Sequence, residues 1–465
     1  MSTVTETASV ERELAAIAGE QNVSHAGRNL ANEDTPAING VVPAVSVSPS
    51  SAEEVAAVLA LANSRGLVVA PAGGFTQQDI GGVPERVDIL LRTHRINGIQ
   101  TYDPGDLTIS INAGTPFAQA QAALGEHKQW LPYDAANLDK ATVGGCVATG
   151  AAGPLKHAFG GLRDFCIGVH FVTAEGKVAK GGGLVVKNVA GYDLMKLMNG
   201  SFGTLGVITR ANFKVFPKPR QTRTFICNFG SLAEAIEFRR HISQSPLQPI
   251  CLEIISPRAA EYLCDPQPVK DPDHYAPSQP VAKPGNTWQI VLRAAGSDNV
   301  LARYARDLGS AVSRTLDSGG KEEDQFWGWV RHFEYSVLQR HQNAMVMYTH
   351  MPIQGVGPAI QAMEKAAPDY NFIPAVAGRA ATGNLVLAFM PLSVDPPSAM
   401  QYANCVSAFR GMLPPGASAE VAHCPKEAKP HFDVWGTTPT DLSLMKALKK
   451  AIDPNNILNR GRFIV

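Results

Sequence analysis

Residues 181–219 read GGGLVVKNVAGYDLMKLMNGSFGTLGVITRANFKVFPKP, and the fold turns on how this stretch is read. Its glycines alternate with short apolar runs. That pattern suits backbone lying close to a large flat ligand, because glycine serves where a side chain would collide or where φ must be positive. Within it, Val189, Leu194, Leu197 and Met198 fall on one face, which predicts a helix over 188–198 stopped at Gly200. Val207, Ile208, Phe213, Val215 and Phe216 then predict a strand ending at Pro217. A glycine-rich strand-turn-helix-turn-strand without any ligand would show the same pattern, so the neighbouring stretches decide.

Upstream, Ser50 and Ser51 stand three residues before Glu53 and Glu54, and Val55, Val58, Leu59 and Ala62 share a face. This is a capped amphipathic helix ending near Gly66, followed by a buried strand over 67–70. The strand runs into PAGGFTQQDIGG at 71–82, a loop whose backbone N–H groups can point at phosphate oxygens, with Thr76 and Gln77 adding side-chain donors. It lacks GxGxxG and the GKS or GKT ending of a P-loop, so neither a Rossmann nor a nucleoside-triphosphatase reading is supported. From Ile89 the pattern is strand, turn at Asp103-Pro104-Gly105, strand over 107–111, turn at Gly114, and a helix from Pro116. A third glycine-rich segment, LPYDAANLDKATVGGCVATGAAG at 131–153, again places small residues and hydroxyls where a ligand could approach. Three such segments outweigh any one of them.

The chain of 465 residues implies two or three domains, and 45% hydrophobic against 18% charged residues describes a globular protein with a large core. Lysine plus arginine and aspartate plus glutamate balance at 41 each, which gives no global field for nucleic acid or an anionic membrane. The first twenty residues have neither the basic nor the apolar region of a signal peptide, and no apolar run reaches the roughly 18 to 20 residues of a membrane span. Seven cysteines stand singly without a CxxC pair, which argues against structural zinc or an iron–sulfur cluster in this chain and for reduced thiols in a cytoplasmic setting.

These features predict an N-terminal extension over 1–35 and a ligand-binding domain over 36–220. Glycine thins out after Pro219, and a second domain over 221–430 is expected to carry the substrate or a partner. The chain then returns to the first domain over 431–465. The proline-rich piece at 265–284 reads as an excursion or linker.

The loop at 71–82, the segment at 142–153, the wording VVKNVAGYDLMKLMNGSFGTLGVIT and the tail LKKAIDPNNILNRGRF together resemble the FAD-linked oxidases of the vanillyl-alcohol oxidase, or PCMH, superfamily. KNVAGYDL, GSFGTLGVIT and DVWG most resemble the FAD-binding subunits of bacterial glycolate oxidases within it. The resemblance implies an α+β fold: a PCMH-type domain of two α+β subdomains holding an extended FAD, with a separate α+β cap. It implies that Ala72, Gly73, Gly74, Phe75, Thr76 and Gln77 wrap the pyrophosphate, and that Thr142, Gly144, Gly145 and Thr149 line the other side of the diphosphate and ribityl chain. Arg163 and Asp164 would close the flavin site, and Val207 and Ile208 would meet the adenine end. No helix N-terminus of Rossmann type is expected to bind the phosphates.

Two departures bear on the chemistry. Phe75 stands where some relatives carry a histidine bonded to the flavin, which implies a non-covalent FAD. In the segment AGRAATGNLVLAF at 377–389, similar to GDGNxH of the 2-hydroxy-acid dehydrogenases, Gly383 and Asn384 remain but Val386 takes the histidine's place. Phe202 likewise replaces the glutamate of GSEGTLG. No catalytic residue and no metal site is therefore assigned. His332, His341, His350 and His423 are the histidines from which a base could come, and Arg379 has the fork that suits a carboxylate. The resemblance implies an auxiliary flavin centre in glycolate oxidation, beside a sister FAD-linked 2-hydroxy-acid dehydrogenase subunit and an iron–sulfur subunit. It would be cytoplasmic, or peripheral at the inner membrane through those partners, with a small 2-hydroxy acid as substrate and no nucleic acid. A self-sufficient 2-hydroxy-acid dehydrogenase of D-lactate type and a non-catalytic structural subunit are the alternatives.

Overall fold

The computed structural model describes residues 2–25, 37–184, 191–264, 286–317, 321–393, 395–436 and 438–464. The proline-rich piece and the first residues of the helix expected over 188–198 lie outside them. The fold is α+β and comprises two sheets that share the core of the first domain and one large sheet in a cap.

The first sheet has the order β1-β2-β4-β3, built from β1 (Val23–His25), β2 (Val45–Val47), β3 (Val69–Ala72) and β4 (Ile89–Arg92). Its helix Ala52–Arg65 begins at Ser51, whose side chain accepts from the Glu54 N–H, and ends at Gly66 in the left-handed conformation, as the sequence predicts. The strand after it starts two residues later than expected. Residues 2–25, read as an extension, instead belong to this core. The helix Ser2–Ala18 buries Val10, Leu14 and Ala18 against the sheet, and Val23 to His25 pair with β2. Val10, Leu14 and Ala18 recur every fourth position and so share one helical face, with Ala15 and Ile17 packed beside them.

The second sheet, in the order β5-β6-β10-β8-β9, comprises β5 (Ile99–Asp103), β6 (Thr108–Asn112), β8 (Cys166–Val172), β9 (Val178–Gly182) and β10 (Val207–Lys214). The short ribbon of β7 (Gln129–Trp130) and β11 (Phe216–Pro217) borders it. The strand expected from Val207 is therefore present, in two pieces. Phe117 and Phe213 are fully buried beneath this sheet.

The cap is one eight-stranded sheet. Its strands are β12 (Thr222–Phe229), β13 (Cys251–Ile255), β14 (Trp288–Ala295), β15 (Val312–Asp317), β16 (Met345–His350), β17 (Phe372–Arg379), β18 (Asn384–Pro391) and β19 (Ser418–His423). The order is β15-β12-β14-β13-β17-β18-β16-β19. Helices cover both faces, giving two apolar clusters, one including Val356, Ile360 and Phe409 and the other Trp327 and Phe333. Among the described residues no helix is long and apolar enough to cross a membrane.

After the cap the chain returns to the first domain. Leu458 bridges Val69 of β3, the Val69 N–H donates to the Ile457 carbonyl, and the Asn459 N–H donates back to Val69. Lys449, buried on the helix Leu442–Ile452, donates to the Thr204 and Leu458 carbonyls and to Asp453. This tail is a strap across the glycine-rich loops.

Candidate functional site: a backbone channel opening into a charged cleft

The loop after β3 is held by its carbonyls. Arg462, 4% exposed, donates to the Gln77, Gln78 and Ile80 carbonyls at 3.1, 3.2 and 3.0 Å and to the Gln78 side chain at 2.9 Å. Buried Lys429 donates to the Gly81 carbonyl at 3.0 Å, to Asn39 and to the Asp79 carbonyl. From the cap helix Phe333–Arg340, Tyr335 donates to the Thr76 carbonyl at 2.7 Å. By contrast, among the described residues the N–H groups of residues 73–77 make no hydrogen bond within the chain. A row of unpaired donors remains where the loop lines a narrow channel. Phe75 adopts φ 56, with the Arg92 guanidinium 5.3 Å from its ring centre.

The facing wall differs from expectation. Residues 143–149 form a helix capped by Thr142, although two glycines in seven residues gave no helical signal. Its first N–H groups are engaged: Val143 to the Thr115 carbonyl, Gly144 to the Ala113 carbonyl and Gly145 to the Thr142 hydroxyl. A helix end is present, yet it offers no free donors to a phosphate. A Cβ on Gly73 would lie 2.0 Å from Thr142 Oγ1, and one on Gly74 would lie 1.7 Å from the Lys140 carbonyl oxygen. These glycines let one loop lie on the other, and the channel is the seam between them.

Ala72, Gly73, Gly74, Phe75, Thr76, Gln77, Thr142, Gly144, Gly145, Thr149, Val207 and Ile208 all line this channel. The Gln77 side chain donates to Tyr335 at 3.3 Å rather than standing free for phosphate. Arg163 and Asp164 line neither the channel nor the cleft beyond it. Both are exposed, and Asp164 accepts from the Gly161 N–H at 2.8 Å to cap the helix Leu162–Phe165. Asp164 thus serves the turn itself.

The channel continues past Gln77, Ala135, Ala136, Thr149, Ala151 and Phe202 into a cleft of about 490 Å³ between the first domain and the cap. At the junction Phe202 packs edge-on to Trp435 at 5.0 Å and stacks on Phe463 at 5.3 Å. The cleft walls carry Lys156, Arg331 and Arg379 against Glu253, Glu334 and Glu420. Arg379 donates through Nε and Nη2 to the Gly153 and Ala152 carbonyls, tying the cap to the first domain. Burial, with Arg379 adding, lowers the Lys156 ammonium below its usual range. Burial pushes the Glu334 carboxyl up to about 6, although Tyr348 donates to it. Glu253, 2% exposed, is pushed up to about 8 by burial, with Arg379 opposing and Asp134 adding.

Of the four histidines, only His350 lines the cleft. Asn384 donates to its Nδ1 at 2.8 Å, and the amide's orientation follows from Thr382 donating to Oδ1 and from Nδ2 donating to the Thr349 carbonyl. His332 bonds the Asn137 N–H and the Gly328 carbonyl, and His341 bonds Tyr262. Buried His423 has an unpaired Nε2 and is held down to about 4 by burial. Among the described residues no group of three or more potential metal ligands converges. Sequence reasoning missed Arg462, Lys429, Tyr335, Glu253 and Glu334. Only Glu253 left a mark, as a lone charge inside the apolar run 250–255.

The chemistry of the channel fits FAD. A dinucleotide needs donors for its diphosphate and a positive counter-charge, and the channel supplies unpaired N–H groups and a buried guanidinium whose Nε has no partner. Comparison with known proteins agrees. Residues 43–182 match the FAD binding domain family, and residues 218–412 with 435–463 match the C-terminal domain of FAD linked oxidases. The chain belongs to the FAD-linked oxidases, and FAD is its cofactor. It is 25% identical to glycolate oxidase subunit GlcD of Bacillus subtilis (strain 168) over 98% of this chain and 97% of that one. It is 44% identical to glycolate oxidase subunit GlcE of Escherichia coli (strain K12), over 34% of this chain and 44% of that one. The structure of p-cresol methylhydroxylase with substrate bound has the same fold, with a TM-score of 0.72, 16% identity, and 99% and 97% of the two chains covered.

Proposed function

We propose that this chain is the FAD-binding subunit of a glycolate oxidase complex and takes part in oxidising a small 2-hydroxy acid such as glycolate. The observation that carries the reading is the cleft: it is continuous with the FAD channel, and cations and a carboxyl group line it together. An anionic substrate bearing an alcohol needs both, a positive group for its carboxylate and a polar group for its hydroxyl. The likeness to GlcD and GlcE, each a glycolate oxidase subunit, supports a place in a multi-subunit complex; the partners in this reading are a sister FAD-linked subunit and an iron–sulfur subunit.

Bound FAD supplies a two-electron acceptor. Arg379, fixed by two carbonyls of the FAD domain, and Lys156 draw the substrate carboxylate to one end of the cleft. A bound carboxylate favours the charged form of Lys156, which burial disfavours. Phe202, Trp435 and Phe463 exclude water where channel and cleft meet. The loop at 71–82 has no histidine, cysteine or tyrosine, which supports a flavin held without a covalent bond.

Anaerobic glycolate added to the purified flavoprotein tests this reading, first alone and then with its partner subunits. Bleaching of a flavin that acid releases is expected. A chain that holds FAD but is never reduced by any 2-hydroxy acid, in or out of a complex, would refute it.

A further inference from the structure

We propose that the Glu253 carboxylate is the proton acceptor of this cleft, taking the hydroxyl proton of the 2-hydroxy acid in place of the histidine that Val386 replaces. The inference rests on the proposed function and deepens it. The sequence shows no base, but the fold brings one in from another strand. β13 pairs antiparallel with β17 so that Glu253 stands opposite Arg379, while Arg379 stands opposite Asn384 of β18. The carboxyl thus reaches the wall that Val386 lines, from two strands away.

Three observations select it. Its Oε1 is buried and has no hydrogen-bond partner, a costly condition for a polar atom unless a ligand completes it. It lines the cleft, as Asn384 and Arg379 do. Other candidates there already have partners: His350 accepts at Nδ1 from Asn384, which occupies that lone pair, and its Nε2 stands 3.8 Å from Glu420, while Glu334 accepts from the Tyr348 hydroxyl. The groups facing Glu253 are Arg379 from β17, Asp134 from the FAD-domain loop and Cys251 on its own strand, with Arg331 and Glu334 on the helical side of the cleft.

The step balances. The hydroxyl O–H bond breaks and its proton passes to Glu253. The hydride at C2 leaves with its electron pair to the bound flavin, a C=O bond forms, and the alcohol is oxidised to a 2-oxo acid as the flavin is reduced. The proton returns to water when the product departs. With the carboxyl pushed up to about 8, the ionised fraction grows with pH through neutrality, so reduction accelerates up to about pH 8 and then levels.

The test uses the FAD-loaded protein, with its partners where they are needed for reduction, and the variants E253Q and E253D. In stopped flow, E253Q is expected to bleach roughly 10²–10⁴-fold more slowly and to lose the rising pH limb. E253D should keep the limb at a lower rate. Binding of oxalate, read as a perturbation of the flavin spectrum, should persist in E253Q. Stability gives a readout independent of turnover. A carboxyl whose folded pKa is raised from 4.5 withdraws stability as pH rises from there toward 8, so E253Q should melt above wild type at pH 8 and the gap should close toward pH 5. An E253Q protein that bleaches as fast as a wild type that does bleach overturns the assignment alone. So does one that loses oxalate binding along with reduction and melts as wild type does at both pH values. A flavin-loaded wild type that no 2-hydroxy acid bleaches overturns the proposed function and this role with it.

Discussion

The channel and the cleft adjoin, yet they are made of different things. The channel's polar groups are backbone N–H donors freed because Arg462, Lys429 and Tyr335 engage the loop's carbonyls from behind. The cleft's polar groups are charged side chains, gathered from β13, β17, β19 and the helices beside them, several of them buried with their ionisation displaced. A backbone site depends on loop geometry and tolerates most side-chain changes outside its supports. A side-chain site fails residue by residue.

The sharpest way to break this contrast is from behind the channel. Arg462→Met leaves three carbonyls without their donor, and we expect about 3–5 kcal/mol of lost stability and a protein that purifies without FAD, read from the ratio of flavin to protein absorbance and from thermal melting. Acid probes the cap side next. His423 is held at about 4 when folded against 6.5 when unfolded, so the unfolded chain binds the proton first. Its contribution, about 3 kcal/mol, is complete above pH 6.5 and is lost as pH falls from 6.5 to 4. His423→Leu should flatten that part of the stability profile.

Gly74→Ala drives a Cβ into the Lys140 carbonyl and should cost about 1–3 kcal/mol and weaken FAD retention. Gly145→Ala, whose Cβ would come no nearer than 3.2 Å to Thr142 Oγ1, should do much less. Tyr335→Phe removes the donor to Thr76 and should lower stability by about 1 kcal/mol, with flavin released more readily in dilution. Smallest of all, Arg163→Ala should change melting by less than about 0.5 kcal/mol and leave flavin content intact.

How much the sequence discloses follows the same division. The channel was legible because glycine spacing and strand-loop order are local, and Gly73, Gly74, Thr142, Val207 and Ile208 all fall on it. Gly73 and Gly74 also clear the opposite loop, a requirement that their spacing alone does not record. The capped helix after Ser51 was legible because its cap and its apolar face lie within one window. The helix over 143–149 was not, since tertiary contacts at Ala113 and Thr115 hold it against its composition. Arg163 and Asp164 stand outside both the channel and the cleft, and a charged pair beside a glycine turn looks the same in sequence wherever the turn faces. Glu253 and Arg462 acquire their roles through partners more than a hundred residues away, and no spacing records that.

The strap carries a consequence for biosynthesis. Arg462 and the Gln78 side chain it meets are separated by 384 positions in the sequence, so the cofactor loop emerges from the ribosome long before the residues that fix its carbonyls. Flavin loading must then be a late event, following translation of the tail, and nascent chains halted before Arg462 should carry no flavin however well their first domain has folded.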